Sequence, residues 1–361
     1  MTVHPIIVVV VALVVLVAFA VLVTLLVRYR RRVQEIEEQP TMSSAESGDG
    51  AQRRAAVIIN PTKFSDVGAV REQVARGFRE HGWDEPMFLE TTEDDPGKGQ
   101  AQQALDAGVD LVCSLGGDGT VRDVAEALVH TGVPLGLLPG GTGNLLARNL
   151  DLPLDDLDAA LAIALTGEDR PIDVGLVAFD PSGEHERPDE KVFLVMAGLG
   201  FDAAMMRGAP ERLKNRVGWL AYAVSGAKNL RAPRAKARLS ADGAPDATRR
   251  IQTVVIGNCG TLTGGIQLLP DATVDDGWLD AVVLSPKGLA SWASVAARVL
   301  TRRGHPRVER LRCREISVRV DRPTEAQLDG DVVGTVRALR SRVDPGALLL
   351  RLPPGPSGRA A

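Results

Sequence analysis

Val109-Asp110-Leu111-Val112-Cys113-Ser114-Leu115 runs into Gly116-Gly117-Asp118-Gly119-Thr120, and Pro134-Leu135-Gly136-Leu137-Leu138-Pro139 runs into Gly140-Gly141-Thr142-Gly143-Asn144. A short apolar run bounded by turn residues reads as a strand buried on both faces. Each glycine-rich turn is followed by helix-forming sequence. Glycine admits positive φ and lets the backbone approach a ligand, and a helix starting there aims its free N–H groups at an anion. Either turn alone is equally a tight strand-to-helix connection. Two of them on adjacent strands of one unit make a candidate phosphate cradle. Neither is a Walker A loop or a dinucleotide fingerprint, because no Lys-Ser/Thr follows and the G-x-G-x-x-G spacing is missing.

Upstream, residues 55–59 read as a further buried strand ending in Asn60-Pro61-Thr62-Lys63-Phe64. Residues 67–81 show helical spacing, with Val70, Val74 and Phe78 on one face. Residues 86–90 give a strand and 99–107 a helix. This alternation predicts an α/β domain, a parallel sheet with helices on both faces and ligands at the carboxyl ends of its strands. Asn60-Pro61, Thr91-Thr92 and both glycine turns then gather at one edge. After Leu152-Pro153 the pattern changes. Residues 155–165 are helical; the runs at 172–179, 192–197, 236–241, 251–259, 279–285 and 315–320 predict an antiparallel β domain. The last apolar run, 347–352, precedes a Pro/Gly tail, and its return to the first domain stays open.

In this order the motifs resemble the diacylglycerol kinase catalytic-domain family, which includes bacterial lipid kinases and sphingosine and ceramide kinases. The resemblance spans roughly residues 55–352. Its pieces are Asn60-Pro61, Gly116 to Thr120, Gly140 to Asn144 with Arg148 behind, Thr263-Gly264-Gly265, Asp275-Asp276-Gly277-Trp278-Leu279-Asp280 and Asp329-Gly330-Asp331. The Gly-Gly-Asp-Gly-Thr turn alone is shared with NAD kinases and phosphofructokinases. The resemblance implies a C-terminal β-sandwich-like lipid-binding domain, and ATP held by Asn60, Pro61, Thr62, Lys63, Phe64, Thr92, Gly116, Gly117, Asp118, Gly119, Thr120, Val121, Arg122, Asp123, Gly141, Thr142 and Asn144. Asp118 is expected to organise the phosphates and their Mg²⁺, its plainer alternative being an Asx turn that caps the next helix. Asp276, with the carbonyls of Thr273 and Trp278, resembles the family's structural Mg²⁺ loop; an acidic turn without metal is the alternative. Asp329 is the expected general base toward a lipid hydroxyl, with Asp331 orienting it, holding a water or acting in its place. Arg122 stands where many members carry Asn, Leu145 where they carry Asp, and Asp331 where they usually carry Glu.

The implied activity is ATP-dependent phosphorylation of a membrane lipid such as diacylglycerol. A sphingoid-base or other glycolipid kinase and a non-catalytic nucleotide-binding scaffold are the competing readings; NAD kinase ranks lower. The N-terminus supports a lipid acceptor. Residues 6–27 are uninterruptedly apolar and long enough, at about 1.5 Å per residue, to cross a bilayer core of about 30 Å. Arg28, Arg30, Arg31 and Arg32 follow, which predicts a single-pass cell-membrane protein with its catalytic domain in the cytoplasm. A cleaved signal peptide is the alternative. The expected division is 1–32 anchor with basic stop, 33–54 flexible linker, 55–152 ATP-binding domain, 153–346 lipid-binding β-rich domain, and 347–361 strand and tail.

Basic clusters at Arg207, Arg212, Lys214 and Arg216, at Lys228, Arg231, Arg234, Lys236 and Arg238, and at Arg302, Arg303 and Arg307 are expected to meet an anionic membrane surface, or else form solvated faces. The formal charge of −4 argues against a general nucleic-acid binder. Cys113, Cys259 and Cys313 stand far apart and form no metal or disulfide pattern, which fits a reducing compartment. A homodimer is a further expected partner arrangement.

Overall fold

Ala55–Ile59 forms strand β1 of a computed structural model that describes residues 53–184, 188–200, 234–262, 266–286 and 308–354. The apolar run 6–27, most of the linker, Thr263-Gly264-Gly265, the basic residues 207–231 and 302–307, the helical pattern at 288–300 and the tail lie outside these residues. Among the described residues no helix is long and apolar enough to cross a membrane.

β1 is buried throughout because alternate side chains serve two layers. Ala55, Val57 and Ile59 pack with Val74 and Phe78 of α1 (Val67–Glu80) and with Leu161 and Leu165 of α5 (Leu157–Thr166). Ala56 and Ile58 pack with Ala101 and Ala104 of α2 (Lys98–Asp106) and with Val124 and Leu128 of α3 (Asp118–Leu128). Period-2 alternation thus has an apolar partner on both sides. β2 (Met87–Glu90), β3 (Leu111–Gly116) and β4 (Leu135–Pro139) complete a parallel sheet in the order β2-β1-β3-β4. The chain therefore moves outward in opposite directions from β1 and from β3, which makes a switch point between them, where open α/β sheets take ligands. Asn60 donates its amide hydrogen to the Leu115 carbonyl across that point at 3.0 Å.

Helix starts follow the sequence closely. Asp66 accepts from Ala69 N at 2.9 Å and Asp156 from Ala159 N at 3.0 Å, caps that stabilise by about 1 kcal/mol each. Because Ala160, Leu161, Ala164 and Leu165 pack on the parallel sheet, α5 sits with the first half, beyond the expected boundary at Leu152. The short helix α4 (Leu145–Asn149) follows the second glycine turn.

The second half is β-rich. Its strands are β5 (Glu168–Asp180), β6 (Glu190–Phe193), β7 (Met196–Leu199), β8 (Ala235–Ala241), β9 (Ala247–Ile251), β10 (Thr253–Gly257), β11 (Thr261–Leu262), β12 (Ile266–Gln267), β13 (Leu279–Leu284), β14 (Val308–Cys313), β15 (Glu315–Leu328) and β16 (Asp331–Leu352). β15 changes layers: Ile316 to Val320 pair with β8, then the register shifts and Ala326 to Leu328 pair with β7. Such irregularities let one strand serve two sheets. The core between the layers contains Val177, Phe193, Leu239, Ile256, Val283 and Val318. The result is an N-terminal parallel α/β domain and a C-terminal β-sandwich-like domain. β16 links them, since its far end pairs in parallel with β4 at Leu350 and Leu135.

The expected strand 192–197 is two strands, broken at Leu194-Val195. The expected strand 315–320 continues to Leu328.

Candidate active site

The two glycine turns touch. Gly140 N donates to the Gly116 carbonyl at 2.9 Å, and a Cβ on Gly141 would stand 2.6 Å from Gly117 Cα. A Cβ on Gly140 would stand 2.7 Å from Phe64 Cζ. Glycine is needed here for close approach of backbones. Asn144, at φ 46°, closes the second turn on itself: its Oδ1 accepts from Gly141 N at 3.1 Å and its Nδ2 donates to Gly141 O at 2.8 Å. Asp118 ties the turns together by accepting from Leu145 N at 2.5 Å through Oδ1. At position 145 the site therefore uses a backbone amide, while the leucine side chain is buried in the core.

Gln327-Leu328-Asp329-Gly330-Asp331 is the hairpin between β15 and β16, with Leu328 paired to Asp331. Asp329 and Gly330 have φ of 46° and 94°, the pair of positive angles that a tight two-residue hairpin needs. Asp329 is more than a turn residue. Its Oδ1 accepts from Val195 N and Met196 N, each at 2.9 Å, and its Oδ2 accepts from Leu194 N at 3.0 Å. The break between β6 and β7 supplies those amides. Oδ1 is saturated, whereas Oδ2 keeps a lone pair. Burial pushes the Asp329 carboxyl above its ordinary value, against the opposing pull of Arg122 and the three amides.

These parts line one cleft of about 630 Å³: Asn60 and Lys63 after β1, Gly117, Asp118, Gly119, Thr120, Arg122 and Asp123 at the start of α3, Gly141 and Thr142 in the second turn, and Asp329 and Asp331 in the hairpin. Pro96, Gly143, Leu145 and Gly330 line it as well. Gly116, Val121 and Asn144 lie in a narrow crevice beside it. Pro61, Thr62, Phe64 and Thr92 do not line it. Pro61 and Thr62 form the 3-10 turn that Asn60 caps through Oδ1, Phe64 backs Gly140, and Thr92 Oγ1 accepts from Asp95 N at 3.1 Å.

The cleft is acidic: Asp118, Asp123, Asp329 and Asp331 face Lys63 and Arg122. Burial, with smaller contributions from Asp329 and Asp331, pushes Asp118 up to about 6, against the Leu145 and Asn144 amides. A folded-state value above the unfolded 3.8 means that the folded protein binds more protons between about pH 4 and pH 6, so stability falls as pH rises through that window. Asp118→Asn keeps an acceptor for Leu145 and removes the charge. It should therefore stabilise the protein near neutral pH by about 1–2 kcal/mol, after allowance for partial exposure. Denaturant melts should show that gain at about pH 7.5 and lose it by about pH 4. An equal difference at both would contradict the assignment.

Thr273, Asp276 and Trp278, the expected ion loop, lie apart from this cleft. The loop is already satisfied by protein groups. Asp276 Oδ2 accepts from the Thr273 hydroxyl at 2.5 Å and pairs with Arg312 Nη2 at 2.7 Å, while Oδ1 accepts from Trp278 N at 3.0 Å. Arg312 and Arg314 stand over the Trp278 ring at 5.4 and 4.8 Å. Buried Asp173 secures the loop from below: Oδ2 accepts from Gly277 N at 2.6 Å, Oδ1 accepts from Gly346 N at 2.8 Å, and its own amide donates to Val274 O at 2.6 Å. A guanidinium and two other donors thus occupy the Asp276 carboxylate that the expected ion would need. No group of three or more His, Cys, Asp or Glu suited to a metal occurs among the described residues. The melting temperature should then be the same within about 1 °C in EDTA and in Mg²⁺, since each kcal/mol of bound-ion stabilisation would move it by about 2–4 °C. A clear drop in EDTA would show that an ion takes the place of Arg312 on Asp276.

Sequence reasoning missed Asp173 and the amides of Leu194, Val195 and Met196. An isolated Asp and an apolar run carry no local mark of either role. Cys113, Cys259 and Cys313 are buried free thiols, and burial raises all three above the ordinary thiol range.

Residues 54–177 match the diacylglycerol kinase catalytic domain, and residues 195–351 match the YegS C-terminal NAD kinase beta sandwich-like domain. The chain is 34% identical over 275 residues to a Pseudomonas aeruginosa (strain UCBPP-PA14) protein named "Probable lipid kinase YegS-like", covering 73% of this chain and 84% of that one. It is 28% identical over 293 residues to the diacylglycerol kinase of Bacillus subtilis (strain 168), covering 78% and 91%. A crystal structure of a diacylglycerol kinase from Bacillus anthracis str. Sterne shares the fold, with a TM-score of 0.64 at 19% identity over 84% of this chain and 98% of that one. The chain belongs to the diacylglycerol kinase catalytic-domain family, among the YegS-like members that carry the C-terminal β-sandwich-like domain.

Proposed function

We propose that this protein is an ATP-dependent lipid kinase that phosphorylates the free hydroxyl of a membrane lipid, with diacylglycerol as acceptor and phosphatidic acid as product. One observation carries the reading: a glycine-built anion cradle and a buried carboxylate fixed by three amides face the same cleft. The names of the Bacillus subtilis and Pseudomonas aeruginosa relatives support the choice of a lipid over other alcohols. The apolar run at 6–27 supports an acceptor met at the membrane, from the cytoplasmic side.

In this reading the N–H groups at the start of α3 and the second glycine turn hold the phosphates, with Lys63 beside them. Asp329 Oδ2 takes the proton of the lipid hydroxyl as its oxygen attacks the γ-phosphorus in line. The bond from that phosphorus to the β–γ bridging oxygen breaks, and ADP leaves. Burial raises the proton affinity of Asp329, and the amides fix its direction, as a base requires. Four carboxylates against two cations cannot receive a triphosphate unaided. A divalent cation arriving with the nucleotide would be held through Asp118 and would supply the missing positive charge.

The test is purified protein with γ-labelled ATP, Mg²⁺ and mixed micelles containing, in turn, diacylglycerol, sphingosine and ceramide. Label is expected in diacylglycerol. Label only in a sphingolipid would reassign the acceptor, and ATP binding with no label in any lipid would overturn the kinase reading.

A further inference from the structure

The hairpin that carries Asp329 belongs to the β-rich half, yet among the described residues one side chain bonds it to the nucleotide half. Arg122, in the first turns of α3, reaches 3.2 Å from Nη1 to the Leu328 carbonyl and 3.2 Å to Asp331 Oδ2. Its Nε lies 3.7 Å from Asp123 on its own helix. The Arg122 side chain is only 14% exposed, whereas the Asp331 side chain is 62% exposed. Asp329, Asp123 and Asp331 together outweigh the effect of burial and hold Arg122 above its ordinary value, so it is charged at every working pH.

The partners are telling. Leu328 O and Asp331 flank the turn on either side of Asp329-Gly330, so a single guanidinium nitrogen, Nη1, grips both shoulders of the residue that would take the proton. Asp329 itself is held to residues 194–196. Without Arg122 the described residues show no other hydrogen bond or ion pair from α3 to this hairpin. We propose that Arg122 is a positioning residue, a latch that sets the acceptor turn against the nucleotide cradle. It acts through Leu328 and Asp331, and the latch rests on the kinase reading above. An ion pair with one arm so exposed adds little to stability, so its removal should appear in the geometry of the turn. Displacement of a reacting group by about 1 Å is enough to slow a reaction by about 10²-fold. The two sequence departures at positions 122 and 331 are thus one contact.

Steady-state kinetics of the full chain, with ATP and the acceptor found above, provide the test. Arg122→Ala should lower kcat by about 10- to 100-fold, with the KM for ATP changed less than about threefold and the melting temperature held within about 2 °C. Arg122→Lys, which keeps the charge but loses the planar guanidinium that reaches Asp123 and the hairpin together, should recover only part of kcat. Asp331→Asn should also lower kcat, and the double variant should be no worse than the poorer single, because both break one latch. Three results would overturn the proposal: unchanged kcat in Arg122→Ala, a loss confined to the KM for ATP, as for a residue that only binds phosphate, or losses that multiply in the double variant. A wild-type protein inactive on every lipid would instead remove the kinase reading, and the latch with it.

Discussion

Asp329→Asn is expected to leave ATP bound while lowering lipid phosphorylation by about 10²–10⁴-fold, the usual contribution of a positioned general base. The buried carboxylate accepts three amides and retains one lone pair on Oδ2. In the variant, the amide oxygen can keep Val195 and Met196, but its nitrogen then faces the Leu194 N–H and accepts nothing. That opposition costs about 1–3 kcal/mol, so circular dichroism and a thermal melt belong beside the assay. A folded Asp329→Asn protein with near wild-type activity, paired with an inactive Asp331→Asn protein, would move the base to Asp331.

Gly141→Ala carries the second large effect. The added methyl would stand 2.6 Å from Gly117 Cα, a backbone atom, and 3.1 Å from Asn144 Oδ1, whose amide is already held by two hydrogen bonds to Gly141. The turns must part, and overpacking of this kind costs about 1–3 kcal/mol. Because both turns are held elsewhere by full strands, that strain should fall on the cradle. ATP affinity should then drop by about tenfold or more, with secondary structure unchanged. Equilibrium binding of a fluorescent ATP analogue measures it. Unaltered affinity would show that the nucleotide does not sit between the turns.

Much of this site is local and therefore legible. β1 and β3 are buried on both faces, which is why they appear as unbroken apolar runs, and the glycines that end β3 and β4 are there because their backbones touch. The Asp-Gly turn is equally visible. What holds that turn is not, because the donors to Asp329 are backbone amides more than 130 residues away and carry no side-chain signature. The same holds for the ion loop. Asp275-Asp276-Gly277 is visible as an acidic turn, and only the register of β13 with β14, which sets Arg312 opposite Asp280, reveals the guanidinium beside Asp276. The return of β16 to β4 rests on pairing between Leu350 and Leu135, and parallel pairing at such separation leaves no periodicity to read.

Transfer of label from the γ-phosphate of ATP to diacylglycerol in mixed micelles, wild type against Asp329→Asn, bears most directly on the lipid kinase reading. Expected is labelled phosphatidic acid in the organic extract from wild type and almost none from the variant. ATP bound by both proteins with no labelled lipid from either, or equal labelling by both, would contradict it.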